Sequence, residues 1–344
     1  MLLNLGTTYQ DIFPSLLLSD LHLTDNPRDE YRWELFDWAI DVCREHDIQT
    51  IFVLGDITDA KDNHSAKLVN SVVFAFSTLA IQTGAKIVIL MGNHDYMVVK
   101  HPFFGFLNNV QNIYFIDEIS KDMTKSVLLL PHTRSPSEDW KDLDLNDYKL
   151  VLMHQTVEGA IASNGMAMSG ELKADFKIRS KVYSGDIHVP QRIGSVEYVG
   201  SPYHVHFGDR FKPRGVLLDS SLQASDLHFP TVEKFVATIT QASDLDQLKI
   251  KEGDQLKIRV KITPSTFSLW EDIKGEVKKK CEELKVDLRG LEMITTSKKR
   301  IKLLSNDREV FKRSFEDAVR KFGNREKLSD DLISVGVEIA KGYE

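Results

Sequence analysis

Short apolar runs, each closed by a polar cluster, dominate the first 190 residues. Residues 12–19 (IFPSLLLS) are apolar and end at Asp20. Residues 29–46 carry Trp33, Phe36, Asp37 and Ile40 at three-to-four spacing, a helical pattern. A second run, Thr50–Leu54, ends at Gly55-Asp56, helical sequence follows over 64–83, and a third run, Lys86–Met91, ends at Gly92-Asn93-His94-Asp95. The order strand–helix–strand–helix–strand predicts a parallel sheet, whose ligand sites lie at the carboxyl ends of the strands. The polar clusters should therefore converge although they are far apart in sequence.

Further strands are expected at 112–116, 125–130, 149–153, 181–184, 195–199 and 214–219, with turn residues at Gly194, Gly200-Ser201-Pro202 and Pro213-Arg214-Gly215. The pattern predicts an α/β fold of two sheets packed face to face with helices outside, spanning residues 1–229. From 230 to 295, two β-like runs (233–240, 255–262), a helix (267–285) and a strand (286–295) form a small α/β module. Residues 296–305 read as a polar, basic linker. A helical segment, 306–344, closes the chain, in two parts (306–322 and 326–341). Val310, Phe311, Phe315, Val319 and Phe322 form one apolar stripe there, and Leu328, Leu332, Val335 and Ile339 form another. Each stripe could bind a partner or pack on the protein itself.

Charge sharpens this division. The 344 residues have a formal net charge of −7. From residue 247 onward there are 23 Lys and Arg against 18 Asp and Glu, whereas residues 1–246 hold 21 against 33. An acidic front half suits a cation site and a mildly basic back half suits a polyanion. Lys278-Lys279-Lys280 and Lys298-Lys299-Arg300 could touch phosphates, although such runs are more often solvated faces. The two cysteines, Cys43 and Cys281, are far apart in sequence and form no CxxC, which argues against a disulfide scaffold or a thiolate zinc site. The N-terminal 20 residues lack a basic n-region and an unbroken apolar stretch, so neither signal peptide nor membrane span is expected, and the chain reads as cytoplasmic.

Five clusters carry the chemistry: Asp20-Leu21-His22, Gly55-Asp56-Ile57-Thr58-Asp59, Gly92-Asn93-His94-Asp95, His154, and Gly185-Asp186-Ile187-His188. Aspartate, asparagine and histidine together are a mixed oxygen and nitrogen donor set that suits Mn²⁺, Fe²⁺ or Zn²⁺. Asp-x-His places two side chains on one side of a strand end. Asp56, at the middle of the sheet edge, is a candidate bridge between two ions. Taken alone, a DxH is common, GNHD is often a turn, and a single histidine is usually a buried core residue. In this order, each at a strand end, the five point together to a metal site. His204 and His206 look like surface residues.

This ordered set resembles the calcineurin-like metallophosphoesterases. Val182-Tyr183-Ser184-Gly185-Asp186-Ile187-His188, followed by Val196-Glu197-Tyr198-Val199-Gly200-Ser201-Pro202, is similar to the nuclease subunit of SbcCD-type DNA-end-processing complexes, a group that includes phage recombination endonucleases. The resemblance implies a two-metal phosphodiesterase. Asp20, His22, Asp56 and His188 would hold one ion, and Asp56, Asn93, His154 and Asp186 a second. His94 would be the general acid, oriented by Asp95, with Asp59 in a supporting role. It further implies a small module that caps the site and helps bind DNA, terminal helices that dock on an ABC-type coiled-coil ATPase, and a homodimer. One departure stands out. The nuclease group reads Gly-His-x-His where this chain has Gly185-Asp186-Ile187-His188, which should harden the second site toward Mn²⁺ or Mg²⁺, unless the shorter Asp186 fails to reach. Other readings are a phosphomonoesterase or a protein or nucleotide phosphatase of the same superfamily, and a non-catalytic DNA-end-binding subunit. Asp59 is followed by Ala60-Lys61 rather than the Arg-Gly of the protein phosphatases.

Overall fold

A computed structural model describes residues 2–98, 101–173, 178–263, 266–295 and 328–341. Its strands are β1 (Leu2–Leu3), β2 (Ser15–Leu18), β3 (Thr50–Val53), β4 (Lys86–Leu90), β5 (Ile113–Ile116), β6 (Ser120–Asp122), β7 (Val127–Leu130), β8 (Leu150–His154), β9 (Lys181–Gly185), β10 (Gln191–Ile193), β11 (Val196–Tyr198), β12 (Gly215–Leu218), β13 (Ala224–Leu227), β14 (Lys234–Ile239), β15 (Gln255–Ile262) and β16 (Asp287–Thr295). One sheet runs β13-β12-β2-β3-β4-β5 and a second runs β1-β6-β7-β8-β9-β11-β10. β2, β3, β4 and β5 pair in parallel, as do β7, β8, β9 and β11.

These strands read as unbroken apolar runs because both of their faces are covered. In the first sheet Leu17, Phe52, Val88 and Leu90 point between the sheets, against Leu129, Leu150, Leu152 and Tyr183 of the second. Their neighbours Leu16, Ile51, Val53, Ile87 and Ile89 point the other way, onto helices α1 (Glu34–His46) and α2 (Ala66–Thr83). On the outer face of the second sheet, Leu128, Val151, Met153 and Val182 pack on Trp140 and Leu145. Trp140 caps α3 (Pro136–Asp139), so among the described residues this face carries only short helices and loops.

The 29–46 helical segment divides at Trp33: Pro27–Trp33 is a tight 3₁₀ segment capped by Asn26, and α1 proper follows. Ser65 caps α2, accepting from the Leu68 N–H, and Gly84 ends it with φ +68°. By length and composition α2 would suffice to cross a membrane. Here Leu68, Val72, Phe76, Leu79 and Ala80 bury one side of it, while Phe74 and Ile81 remain 73% and 82% exposed.

The module after residue 230 is the parallel sheet β14-β15-β16 with α4 (Trp270–Glu283) packed on it through Val277 and Cys281. Strict alternation of Leu256, Ile258, Val260 and Ile262 with exposed polar residues in β15 buries one face of the sheet under that helix. Of the basic runs, Lys279 and Lys280 pair with Glu283 and Asp246, while Lys298-Lys299-Arg300 lie outside the described residues. So do the linker and the 310–322 stripe. In the final helix, Asp330–Lys341, Ile333 and Val337 are buried while Leu332 and Val335 are exposed.

Candidate metal centre

The two sheets present the ends of β2, β3, β4, β8 and β9 at one edge, and the five polar clusters meet there. The turns that aim them are tight. Asp20, His22, Asp56 and Asp186 all have positive φ (53°, 41°, 57° and 84°), a backbone region that is costly for residues with a Cβ and that concentrates at functional sites. Glycines make the close approach possible. A Cβ on Gly92 would lie 2.3 Å from Asp56 Oδ1, and one on Gly55 would lie 2.2 Å from His154 Nδ1.

Among the described residues three groups of donors result, Asp20–His22–His188, Asp20–Asp56–His154 and, at the rim, His22–Asp59–His94, with the donor atoms in each mutually within 4.8 Å. The Nε2 atoms of His22 and His188 lie 2.9 Å apart, and His22 Nε2 is 3.6 Å from Asp56 Oδ2. His154 donates from Nδ1 to the Leu54 carbonyl at 2.6 Å, which turns its Nε2 into the site, 3.5 Å from Asp56 Oδ1 and 3.7 Å from Asp186 Oδ1. That Nε2 is buried without a hydrogen-bond partner, as is Asn93 Oδ1. Unpartnered, buried polar atoms among converging carboxylates are what a cation, displacing any proton on the imidazole, would satisfy. The donor set fits divalent metal, and Asp20 as well as Asp56 stands between the first two groups.

The electrostatics agree. Burial holds the Asp56 carboxyl well above the usual carboxylate range, and the charges of Asp95 and Asp20 add to it while His154 opposes. Burial disfavours charge on His154, but the Asp56 and Asp186 carboxylates outweigh it and keep its pKa well above the ordinary value. Without cations, this cluster keeps protons in their place.

Asp186, shorter than histidine, brings its Oδ1 to 3.7 Å from His154 Nε2. Its backbone N–H donates to Asp20 Oδ1 at 3.0 Å, and its Oδ2 accepts from the Thr156 hydroxyl. Asp59 lies beside the centre, its Oδ1 3.4 Å from His22 Nδ1. The expectation that Asp95 orients His94 needs correction. The Asp95 carboxylate, 1% exposed, accepts the backbone N–H groups of Gly92, Asp56 and Ile57 at 2.7, 2.9 and 3.0 Å. It clamps the β3 and β4 loops together, its hydrogen bonds going to backbone N–H groups rather than to the His94 ring. His94 instead donates from Nδ1 to the Asp59 carbonyl at 2.9 Å, with its ring edge-on to His22.

Sequence reasoning missed several neighbours. His132, bonded through Nδ1 to the Tyr96 hydroxyl, packs 6.0 Å from the His154 ring, and burial followed by the nearby His154 lowers its pKa to about 4. A lone histidine two residues past an apolar run gave no motif to mark it. His206 is exposed as expected, yet it stacks on His188 at 5.5 Å. His204 is not on the surface: it is 5% exposed, held between the Lys234 N–H and the Phe211 carbonyl. A cleft of about 400 Å³, lined by Asp186, His188, His206, Phe207, Asn164 and Met168, opens directly onto the centre.

A two-sheet α/β sandwich with this donor set at its edge defines a phosphoesterase, and residues 13–190 match the calcineurin-like phosphoesterase family, so the chain belongs to it. Among curated proteins it is similar to exonuclease subunit 1 of Enterobacteria phage T4, 26% identical over 217 residues. The aligned part is 58% of this chain and 62% of that protein, so the chain spans less than two thirds of the relative's length.

Proposed function

We propose that this phosphoesterase is a DNA nuclease subunit, cutting phosphodiester bonds with two divalent cations, Mn²⁺ first and Mg²⁺ second. The observation that carries the reading is the convergence of Asp20, His22, Asp56, Asn93, His154, Asp186 and His188 beside an open cleft. Asp20, His22, Asp56 and His188 would hold one cation, and Asp56, Asn93, His154 and Asp186 the other. Such a pair supplies an activated water and neutralises charge on the phosphate. The remaining work falls to the protein. His94, its Nδ1 committed to the Asp59 carbonyl, offers Nε2 as the proton donor to the departing oxygen. Asp95 keeps the Asp56 and Asn93 loops in register, and the cleft lined by His206 and Phe207 receives the strand.

DNA is favoured as substrate by the similarity to a phage exonuclease subunit and by the module that follows the catalytic sandwich. Ala60-Lys61 after Asp59 speaks against a protein phosphatase. Exposed Leu328, Leu332 and Val335 on the final helix suit docking on a coiled-coil ATPase of the ABC type, and exposed Phe74 and Ile81 on α2 suit a homodimer. The test is cleavage of double-stranded DNA in Mn²⁺ beside hydrolysis of p-nitrophenyl phosphate. DNA cleavage supports the nuclease, hydrolysis of the small ester alone supports a phosphatase, and inactivity toward both points to a DNA-end-binding protein.

A further inference from the structure

Three consecutive backbone carbonyls in the turn bearing Asp20 and His22 are each held by a side chain from elsewhere. Ser201 Oγ donates to the Asp20 carbonyl at 3.1 Å, the Tyr203 hydroxyl to that of Leu21, and Arg32 Nη1 to that of His22. A turn with positive φ at two side-chain-bearing residues persists only where its surroundings over-determine it. Ser201 and Tyr203 belong to the same sandwich. Arg32 leads somewhere else.

Arg32 is 3% exposed, and its Nη2 rests on two acceptors, Asp29 Oδ1 at 3.5 Å and the Val205 carbonyl at 3.4 Å. Lys234, the first residue of β14 in the small module, reaches the same two acceptors. Its Nζ lies 3.2 Å from Asp29 Oδ1 and 3.0 Å from the Val205 carbonyl, and the residue is 5% exposed. Asp29 is 8% exposed, so two cations share one carboxylate out of water. A second tie, Gln255 Nε2 to the Arg28 carbonyl at 2.6 Å, fixes the module to the same 3₁₀ segment.

We propose that Lys234 is a positioning residue for the cation held by Asp20, His22 and His188, acting through Asp29 and Arg32 on the His22 carbonyl. The small module would then be a working part of the metal centre rather than only a cover over it. The inference rests on the metal reading above. Loss of the Lys234 ammonium removes the second donor from both acceptors that seat Arg32. Arg32 keeps its own contacts with Asp29 and the Val205 carbonyl, but those acceptors are no longer tied to the module, and the third anchor of the His22 turn is loosened. Partners one step behind a metal ligand commonly change metal affinity about 10–100-fold.

The test is Mn²⁺ titration calorimetry on the full chain, with His188→Ala marking which binding event belongs to the His22 cluster. Lys234→Met, which acts at one further remove, should weaken that event by up to roughly tenfold and leave the other unchanged. Lys234→Arg, which keeps a donor for both acceptors, should recover much of the loss. Lys257→Ala, which removes a cation 4.6 Å over the Phe207 ring at the same module boundary, should change neither event. Wild-type affinity for both ions in Lys234→Met overturns the proposal. So does equal weakening of both, which general loosening would produce. Should Lys234→Met fail to fold by near-ultraviolet circular dichroism, Asp29→Asn removes the shared charge instead, and the same selective loss is required of it. Wild-type protein that binds no Mn²⁺ at all would instead overturn the metal reading itself.

Discussion

Asp95 and Asp56 are joined by a 2.9 Å hydrogen bond from the Asp56 backbone N–H to the Asp95 carboxylate, which also accepts from Gly92 and Ile57. The motif aspartate next to the candidate acid is therefore a clamp on two loops. Asp95→Asn would turn one acceptor into a donor facing those N–H groups. Hydrogen bonds to a charged group are worth about 1.5–3 kcal/mol each, so a loss of at least about 2 kcal/mol in urea unfolding is expected. An unchanged midpoint would remove the clamp from the account.

His94→Ala should leave Mn²⁺ binding intact while lowering turnover by about 10²–10⁴-fold, the range for a general acid. DNA cleavage at the wild-type rate would end the assignment of His94 as acid.

Gly92→Ala places a Cβ 2.3 Å from Asp56 Oδ1 and 2.6 Å from the Asp56 nitrogen. Neither can retreat, because Asp95 holds that loop. The variant should fold with its far-ultraviolet spectrum preserved yet bind Mn²⁺ at least about tenfold more weakly. Calorimetry showing full affinity would contradict the close approach.

Cation affinity should rise with pH. Burial raises the Asp56 carboxyl, so it keeps its proton at a pH where an ordinary aspartate has lost one. A cation entering the site must displace that proton, and one from His154, whose pKa is also raised. Calorimetry in buffers of different ionisation enthalpy should thus report proton release on Mn²⁺ binding, with the apparent Kd falling as pH increases from 5 to 8. No proton release would mean that the carboxylates are already ionised.

Asp186→His exchanges a hard oxygen donor for imidazole next to His154. It should shift the preference from Mn²⁺ toward Zn²⁺, read as the ratio of the two Kd values. An unmoved ratio would place Asp186 outside the coordination shell.

Much of this molecule was legible along the chain, because its strands are covered on both faces and each run of Leu, Ile and Val ends at a polar motif. Parallel connections place successive strand ends at one edge, so Asp20, Asp56, Asn93, His154 and Asp186 could be grouped before any coordinate was known. The short strands β1, β6, β10 and β13 were not foreseen, since two to four residues carry too little pattern. The direction of Asp95, the service of the Asp59 carbonyl to His94, and the burial of His132 and His204 were decided by folding alone. Each depends on partners dozens of residues away that no local spacing encodes. The same holds for Lys234 meeting Asp29 and Arg32. The chain's own order determined which strand ends bear donors, by periodicity, whereas only tertiary packing decided which backbone groups and side chains hold those donors in place.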